Sequence, residues 1–205
     1  IVHAVKEKSD FISIDCLRKT YDIEVQKKLS RFMAEYIGFD FNRGVMAETA
    51  HPYTTNLHNH DVRITNHYQE NKLEDAIFSI VHEGGHALYE MGISDELTLT
   101  PIGGGTSMGM HESQSRFYEN IVGRSYQFWQ KHYPKLQEVF EEQLKDVSLE
   151  DFYHYVNKAE CSLIRTEADE LTYPLHIMIR YDLEQALLSG QIEVKDLPEY
   201  WNKAY

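Results

Sequence analysis

The sequence has few cysteines and no long apolar run. Its 205 residues contain only two cysteines, Cys16 and Cys161, which lie far apart and lack the paired spacing of a cysteine-rich zinc module. This excludes a disulfide framework, and we expect a reducing, cytoplasmic setting. No apolar stretch reaches the roughly 18 residues that a membrane-spanning helix needs, and no basic segment followed by an apolar one indicates a signal peptide.

Positive charge is also scarce. The chain has 20 Lys and Arg against 33 Asp and Glu, which gives a formal net charge of -13. Nucleic-acid binding and docking on anionic membranes both need basic surface, so we expect neither partner. The hydrophobic content of 42% is enough to fill a core and excludes disorder. Because the chain starts at Ile1 and stops at Tyr205 within a helical pattern, we expect it to be part of a longer protein.

Most of the sequence has helical periodicity. Apolar residues at three- and four-residue steps predict helices over residues 21–36, 73–90, 107–133 and 163–188, the last with a kink at Pro174. Two short, partly β-branched runs within residues 43–68 predict a small antiparallel, hairpin-like sheet. Since no repeat or linker interrupts the chain, we predict a mainly α fold with residues 1–205 forming one domain.

The strongest motif is H-E-x-x-H, formed by His82, Glu83 and His86 in an apolar helix. Helical residues four apart lie one turn along the same face, so both imidazoles can bind one metal ion with Glu83 alongside. The alternatives are a solvated polar patch, or two buried histidines satisfied by hydrogen bonds. The adjacent glycines Gly84 and Gly85 cost the helix roughly 2 kcal/mol relative to alanines, which predicts close approach of a neighbouring chain or ligand.

A catalytic zinc ion needs a third protein ligand, for which the candidates are His111 and Glu112. Glu112 is favoured because a downstream Glu completes the His2Glu pattern of hydrolytic zinc sites. The alternative for Glu112 is a helix-surface ion pair with Arg116, four residues along. Zinc is the default ion, and cobalt or another divalent metal also suits these ligands. The ion would activate water, with Glu83 as the general base.

Five motifs occur in order along the chain and resemble those of the metallocarboxypeptidases typified by carboxypeptidase Taq. They are "HPY" (51–53), "DVRIT" (61–65), "HEGGH" (82–86), "HESQ" (111–114) and "IRTEAD" (164–169). The first departs from the family pattern, which usually has Phe in third place, and a C-terminal GxxQDxHW motif has no match. The resemblance implies a zincin-like helical metallopeptidase with its small sheet beside the active-site helix. It also implies that residues 1–205 form the catalytic core of a longer enzyme, without its N-terminal helical region and C-terminal motif.

The resemblance further implies that His82, His86 and Glu112 bind the metal, that Glu83 is the general base, and that the reaction removes C-terminal residues from peptides. Arg63 and Arg165 are then candidates for binding the substrate carboxylate, because a guanidinium matches a carboxylate bidentately. The other candidate substrate-binding residues are His51, His111 and Tyr173. For Arg63 and Arg165 the alternative is a surface ion pair, with Asp61 or Glu167 nearby, and His51 and Tyr173 can equally be structural.

Two other functions remain open. The chain can be a truncated, catalytically incomplete metal-binding fragment, because family members are longer. It can also be an endopeptidase or aminopeptidase on a similar frame, for which paired arginines are unnecessary. The family resemblance implies a homodimer for the full-length protein.

Overall fold

A computed structural model describes residues 1–9 and 12–205, and the predicted mainly helical fold is confirmed. The α-helices are α1 (Val2–Ser9), α2 (Ile23–Ile37), α3 (Leu73–Met91), α4 (Met108–Arg116), α5 (Tyr126–Val139), α6 (Glu141–Leu144), α7 (Leu149–Val156), α8 (Tyr173–Leu188) and α9 (Leu197–Ala204). Short 3-10 turns occur at Asp15–Arg18, Arg165–Glu167 and Val194–Asp196, and a π-helical segment spans Phe117–Val122. The strands are β1 (Gly44–Glu48), β2 (Thr54–His58) and β3 (Asp61–Asn66). Within the described residues, none of the helices has both the length and the apolar character needed to cross a membrane.

The chain divides into two compact units, and the candidate metal ligands lie in the larger one, Ser13–Val156. Its core forms around α3, whose Leu73, Ile80 and Val81 are fully buried. The predicted helix over residues 73–90 is therefore confirmed, and it is covered by α2, α4 and the sheet. The smaller unit consists of Ile1–Ile12 and Asn157–Tyr205.

The predicted helix over residues 21–36 is confirmed as α2, and local chemistry sets both of its ends. The side chain of Asp22 accepts a hydrogen bond from the backbone N–H of Val25, at 2.9 Å, which satisfies one free donor of the first turn. At the other end Gly38 adopts a left-handed conformation with φ of 113°, which a glycine tolerates without strain.

The sheet is mixed, and the expectation of an antiparallel sheet is corrected. The strand order is β1-β3-β2, with β3 antiparallel to β2 and parallel to β1. Residues 54–58, expected to be a connection, form β2, and the two residues between His58 and Asp61 are too few for anything but a hairpin. Strand β1 therefore pairs with the remaining edge of β3.

Two long helical predictions are wrong in the same way, because a new helix begins inside each predicted span. The expected helix over residues 107–133 is divided into α4, the π-helical segment and α5, since Ser125 starts a new helix by accepting from the N–H of Phe128 at 3.2 Å. The expected helix over residues 163–188 begins only at Tyr173. Pro174 lies in its first turn, where a missing N–H costs no hydrogen bond, so it starts the helix instead of kinking it.

Candidate metal centre

Helices α3 and α4 bring the three predicted metal ligands together. His82 and His86 lie one turn apart on α3, and Glu112 lies on α4. The Oε2 atom of Glu112 is 3.5 Å from Nε2 of His82 and 3.2 Å from Nε2 of His86. One potential ligand atom from each residue lies within 4.8 Å of the others. The three side chains thus converge on a single point.

The glycine pair of the motif lets neighbouring helices pack closely against α3. A Cβ atom at Gly85 would lie 2.7 Å from Cα of Ser115 and 3.0 Å from the backbone oxygen of Gln114. A Cβ atom at Gly84 would lie 2.4 Å from the side-chain tip of Ile37 on α2. The predicted close approach of neighbouring chain segments is confirmed at both glycines.

The second nitrogen of each imidazole has its own partner. Nδ1 of His82 lies 2.7 Å from Oε2 of Glu119, and Nδ1 of His86 lies 2.6 Å from Nδ1 of His111. These contacts turn both Nε2 atoms towards Glu112. Partners of this kind fix ring orientation and tautomer at metal sites.

Charged groups surround the three side chains. Arg116 donates from Nε to Oε1 of Glu112 at 3.3 Å, which leaves Oε2 facing the imidazoles, and its Nη1 lies 3.2 Å from Oε2 of Glu119. Burial lowers the pKa of His82, but hydrogen bonds to Glu112 and Glu119 outweigh it and raise this pKa to about 9. Burial raises the pKa of Glu112, but hydrogen bonds from His82 and His86 outweigh it and hold this pKa well below its ordinary value. The centre therefore stabilises positive charge between these groups.

Glu83 is buried beside the centre and is held by the sheet. The hydroxyl group of Thr54, the first residue of β2, lies 2.6 Å from Oε2 of Glu83 and 3.0 Å from its backbone oxygen. The expected position of the small sheet beside the motif helix is confirmed by this contact. The role of Thr54 was not predicted, because β2 itself was not recognised as a strand.

A further carboxylate lies behind His111. Oε1 of the buried Glu90 is 2.6 Å from Nε2 of His111, and its Oε2 accepts from Nδ2 of Asn56 at 2.8 Å. Sequence reasoning missed Glu90 and Glu119, although periodicity contained the signal. Glu90 follows His86 by four residues on the same face of α3, and Glu119 follows Glu112 by seven.

The remaining candidate residues have other contacts. Arg63 forms a bidentate pair with Asp61, at 2.8 and 2.9 Å, on an exposed part of β3. His51 is exposed, and its backbone oxygen accepts from the hydroxyl of Thr49. Both residues lie in the larger unit with the metal ligands.

Arg165 and Tyr173 lie in the smaller unit and contact each other. The guanidinium group of Arg165 donates to the Tyr173 hydroxyl and lies 5.3 Å from the centre of its ring.

The donor set suits a divalent cation. Two neutral imidazole nitrogens and one carboxylate oxygen are the protein ligands of hydrolytic zinc sites. The partner Glu119 of His82 is the outer carboxylate that such sites commonly have, and it binds Arg116 as well. The chemistry of the residues at this centre thus fits a resident metal ion.

Comparison with known proteins finds one matching family profile and several similar carboxypeptidases. A family profile described as carboxypeptidase Taq (M32) metallopeptidase matches residues 1–205. Carboxypeptidase 1 of Bacillus subtilis is 48% identical over 189 residues, which are 92% of this chain and 38% of that protein. Thermostable carboxypeptidase 1 of Thermus thermophilus is 47% identical, over 92% of this chain and 37% of that protein. The chain thus spans less than two fifths of these relatives' length.

Solved structures agree with the sequence relatives. The crystal structure of an M32 carboxypeptidase from Deinococcus radiodurans R1 superposes with a TM-score of 0.95 at 42% identity, over 100% of this chain and 41% of that one. Metallocarboxypeptidase 1 of Trypanosoma cruzi gives a TM-score of 0.88 at 33% identity, over 99% of this chain and 42% of that one.

Proposed function

The chain belongs to the carboxypeptidase Taq (M32) metallopeptidase family, and we propose that its His82, His86 and Glu112 bind a zinc ion that serves hydrolysis of C-terminal peptide bonds. On this proposal residues 1–205 are the catalytic core of a longer metallocarboxypeptidase. One observation carries the proposal: both Nε2 atoms lie within 3.5 Å of the same carboxylate oxygen of Glu112. Three protein ligands are the number that a hydrolytic zinc site uses, and such a site would keep its fourth position for water.

In the proposed hydrolysis the bound ion and the side chain of Glu83 have different roles. When bound, a divalent ion supplies Lewis acidity, which lowers the pKa of water and polarises a carbonyl group. Glu83 accepts the proton of the attacking water and passes it to the departing amine nitrogen, so it begins and ends the reaction as a carboxylate. The hydroxyl group of Thr54 holds this carboxylate through Oε2.

Substrate binding requires recognition of a C-terminal carboxylate by a chain whose net charge is -13. Arg63 and Arg165 are our candidates for this contact, with His51 and Tyr173 as further peptide contacts. For Arg63 the proposal requires exchange of one carboxylate for another at Nε and Nη2, because both of these atoms contact Asp61. Exposed ion pairs contribute little to stability, so a substrate carboxylate competes with Asp61 at small cost.

The test is release of the C-terminal amino acid from an N-blocked dipeptide and from its C-terminal amide. We expect release from the free acid, none from the amide, loss of release with a chelator, and recovery with zinc. Glu83→Gln should bind zinc normally and not turn over. Equal cleavage of acid and amide would contradict carboxylate recognition and favour an endopeptidase. Repeating the recovery with cobalt compares the two ions that suit these ligands.

A second candidate is a metal-binding fragment without activity. It is favoured by the coverage of 37–38% of the bacterial relatives and by exposed apolar side chains on α8, among them Ile177, Met178 and Leu188. Exposed surface of this kind is typical of a face that packs on another part of a protein. Zinc binding without release of any amino acid in the assay above would support this candidate.

We also propose that the longer protein is a cytoplasmic homodimer. The cytoplasm is supported by two free cysteines, Cys16 and Cys161. The homodimer follows from the family resemblance alone, and light scattering on the longer protein tests it.

A further inference from the structure

The guanidinium group of Arg116 lies between two carboxylates that contact different nitrogens of the same imidazole. Its Nε atom donates to Oε1 of Glu112 at 3.3 Å, and its Nη1 atom donates to Oε2 of Glu119 at 3.2 Å. Oε2 of Glu112 lies 3.5 Å from Nε2 of His82, and Oε2 of Glu119 lies 2.7 Å from Nδ1 of His82. These four side chains thus form a closed circuit of contacts, here called the Arg116 clamp.

One helical surface carries three members of the Arg116 clamp. Arg116 follows Glu112 by four residues, and Glu119 follows Arg116 by three, which places the three side chains on one face. The helix continues from α4 into the π-helical segment, because Phe117 at their junction has right-handed helical φ and ψ angles of -58° and -49°. Helix α3 supplies the fourth member, His82. The clamp therefore joins the elements that carry the predicted metal ligands.

The Arg116 clamp restricts the rotation of the Glu112 carboxylate. The two oxygens of a carboxylate exchange places by rotation about the last side-chain bond, whose torsional preference is broad. The hydroxyl group of Ser115 has one proton, and its nearer acceptor is the backbone oxygen of Glu112, at 2.7 Å against 3.1 Å for Oε2. A guanidinium group is planar and holds its donors in a fixed fork, so the contact of Arg116 with Glu119 orients its contact with Oε1 of Glu112. Oε2 is then the oxygen that faces the imidazoles.

We propose that Arg116 is a positioning residue, which holds Glu112 through Oε1 and Glu119 through Oε2 and so fixes both carboxylates about His82 in the arrangement that binds zinc. This inference rests on the proposed metal centre. It gives Arg116 a role beyond that of a helix-surface ion pair with Glu112, because the same guanidinium group also holds the outer carboxylate of His82.

The test compares the zinc affinity of Arg116→Gln with that of Arg31→Gln, measured by competition with a chelator. Both variants remove one positive charge from a helical ion pair between residues four apart. Arg31 forms its pair with Glu35 on α2, at 3.1 Å. Arg116→Gln should weaken zinc binding by about 10- to 100-fold, and Arg31→Gln should leave it unchanged.

The direction of the change separates positioning from a simple effect of charge. A guanidinium group repels a divalent cation, so removal of a nearby positive charge that had no other role would strengthen zinc binding. Weaker binding in Arg116→Gln therefore supports the proposal. Unchanged or stronger binding would overturn it.

Arg116→Lys keeps the charge and the long apolar stem, and it provides a second variant if Arg116→Gln does not fold. The lysine side chain ends in a single nitrogen and has no rigid fork, so it cannot hold two carboxylates in the same geometry. We expect weaker zinc binding in Arg116→Lys than in wild type, with urea unfolding of the metal-free chain as the control for folding. Wild-type affinity in a folded Arg116→Lys chain would overturn the proposal.

A double-mutant cycle tests whether Arg116 acts through both carboxylates. If it holds Glu112 by means of its contact with Glu119, the effect of Arg116→Gln on zinc affinity should be smaller in the Glu119→Gln background than in wild type. Additive losses would show that the two residues act independently and would overturn the proposal. Failure of the wild-type chain to bind zinc would instead contradict the metal centre itself, so the two failures are distinguishable.

Discussion

The backbones of α3 and α4 meet where Gly85 faces Ser115, since a Cβ atom at Gly85 would lie only 2.7 Å from Cα of Ser115. Ser115 follows Glu112 by three residues on α4, and Gly85 precedes His86 by one on α3. The contact therefore fixes how far Glu112 stands from the imidazoles. The absence of a side chain at this one position lets the carboxylate reach both Nε2 atoms.

Gly85→Ala should separate the two helices. Overpacking against backbone costs about 1–3 kcal/mol, and we expect zinc binding to weaken by at least about tenfold as Glu112 moves away. Gly84→Ala is the matched control, because its new methyl group meets only the flexible side-chain tip of Ile37. Chelator competition and urea unfolding measure the two effects. Equal zinc affinities in the two variants would contradict this view of the helix contact.

Glu119→Gln should weaken zinc binding by about 10- to 100-fold, since a neutral amide replaces the carboxylate that orients His82 through Nδ1. Glu138→Gln, at an exposed position of α5, removes the same charge away from the centre and should have no effect. Calorimetric titration with zinc checks both variants. If the two variants bind zinc alike, Glu119 serves only its ion pairs with Arg116 and Arg124.

Thr54→Val should lower kcat of the proposed hydrolysis by about 10- to 100-fold, because Glu83 loses the hydroxyl that orients its carboxylate. Thr54→Ser keeps the hydroxyl and should retain most of the activity. Zinc affinity should be the same in both variants, since Thr54 contacts Glu83 and not the ligands. A serine variant as slow as the valine variant would show that the methyl group, through packing, is what matters.

Alkaline pH should destabilise the larger unit, because its buried thiol and phenol groups resist loss of their protons. Burial raises the pKa of the Cys16 thiol from 9.0 to about 11, and burial also raises the pKa values of Tyr21 and Tyr133. The contribution of Cys16 to stability is fully present below pH 9 and is lost as the pH rises towards about 11, because the unfolded chain releases its proton first. Urea unfolding across this range should show a falling free energy of unfolding. A flat profile would contradict the burial of these groups.

The convergence of His82 and His86 in the candidate metal centre could be predicted because these residues lie in a short, periodic pattern. A spacing of four in a helix fixes the relative placement of His82 and His86 before any tertiary contact forms. The glycine pair also predicted a close contact, since adjacent glycines in a helix are costly without one. The elements that carry these residues, α2 and α3, were predicted to within a few residues for the same reason.

What could not be predicted depends on tertiary pairing. The expectation of an antiparallel sheet was wrong because β2 was not recognised. Thr54–His58 has too little apolar alternation to indicate a strand, yet β2 occupies one edge of β3 and leaves the other edge for parallel pairing with β1. Periodicity also continued through Ser125 and Pro174, where a cap and a first-turn proline start new helices. The contact between Thr54 and Glu83 was missed because the strand that carries Thr54 was missed.

The most direct test of the metal centre is the zinc content of the purified chain after equilibration with zinc and removal of excess, measured by mass spectrometry with Glu112→Ala and His86→Ala beside wild type. We predict one zinc ion per wild-type chain and loss of bound zinc in both variants. Glu142→Ala, an acidic residue of α6, should retain it. Zinc retained by Glu112→Ala at the wild-type level, or absent from the folded wild-type chain, would contradict the proposed His2Glu centre.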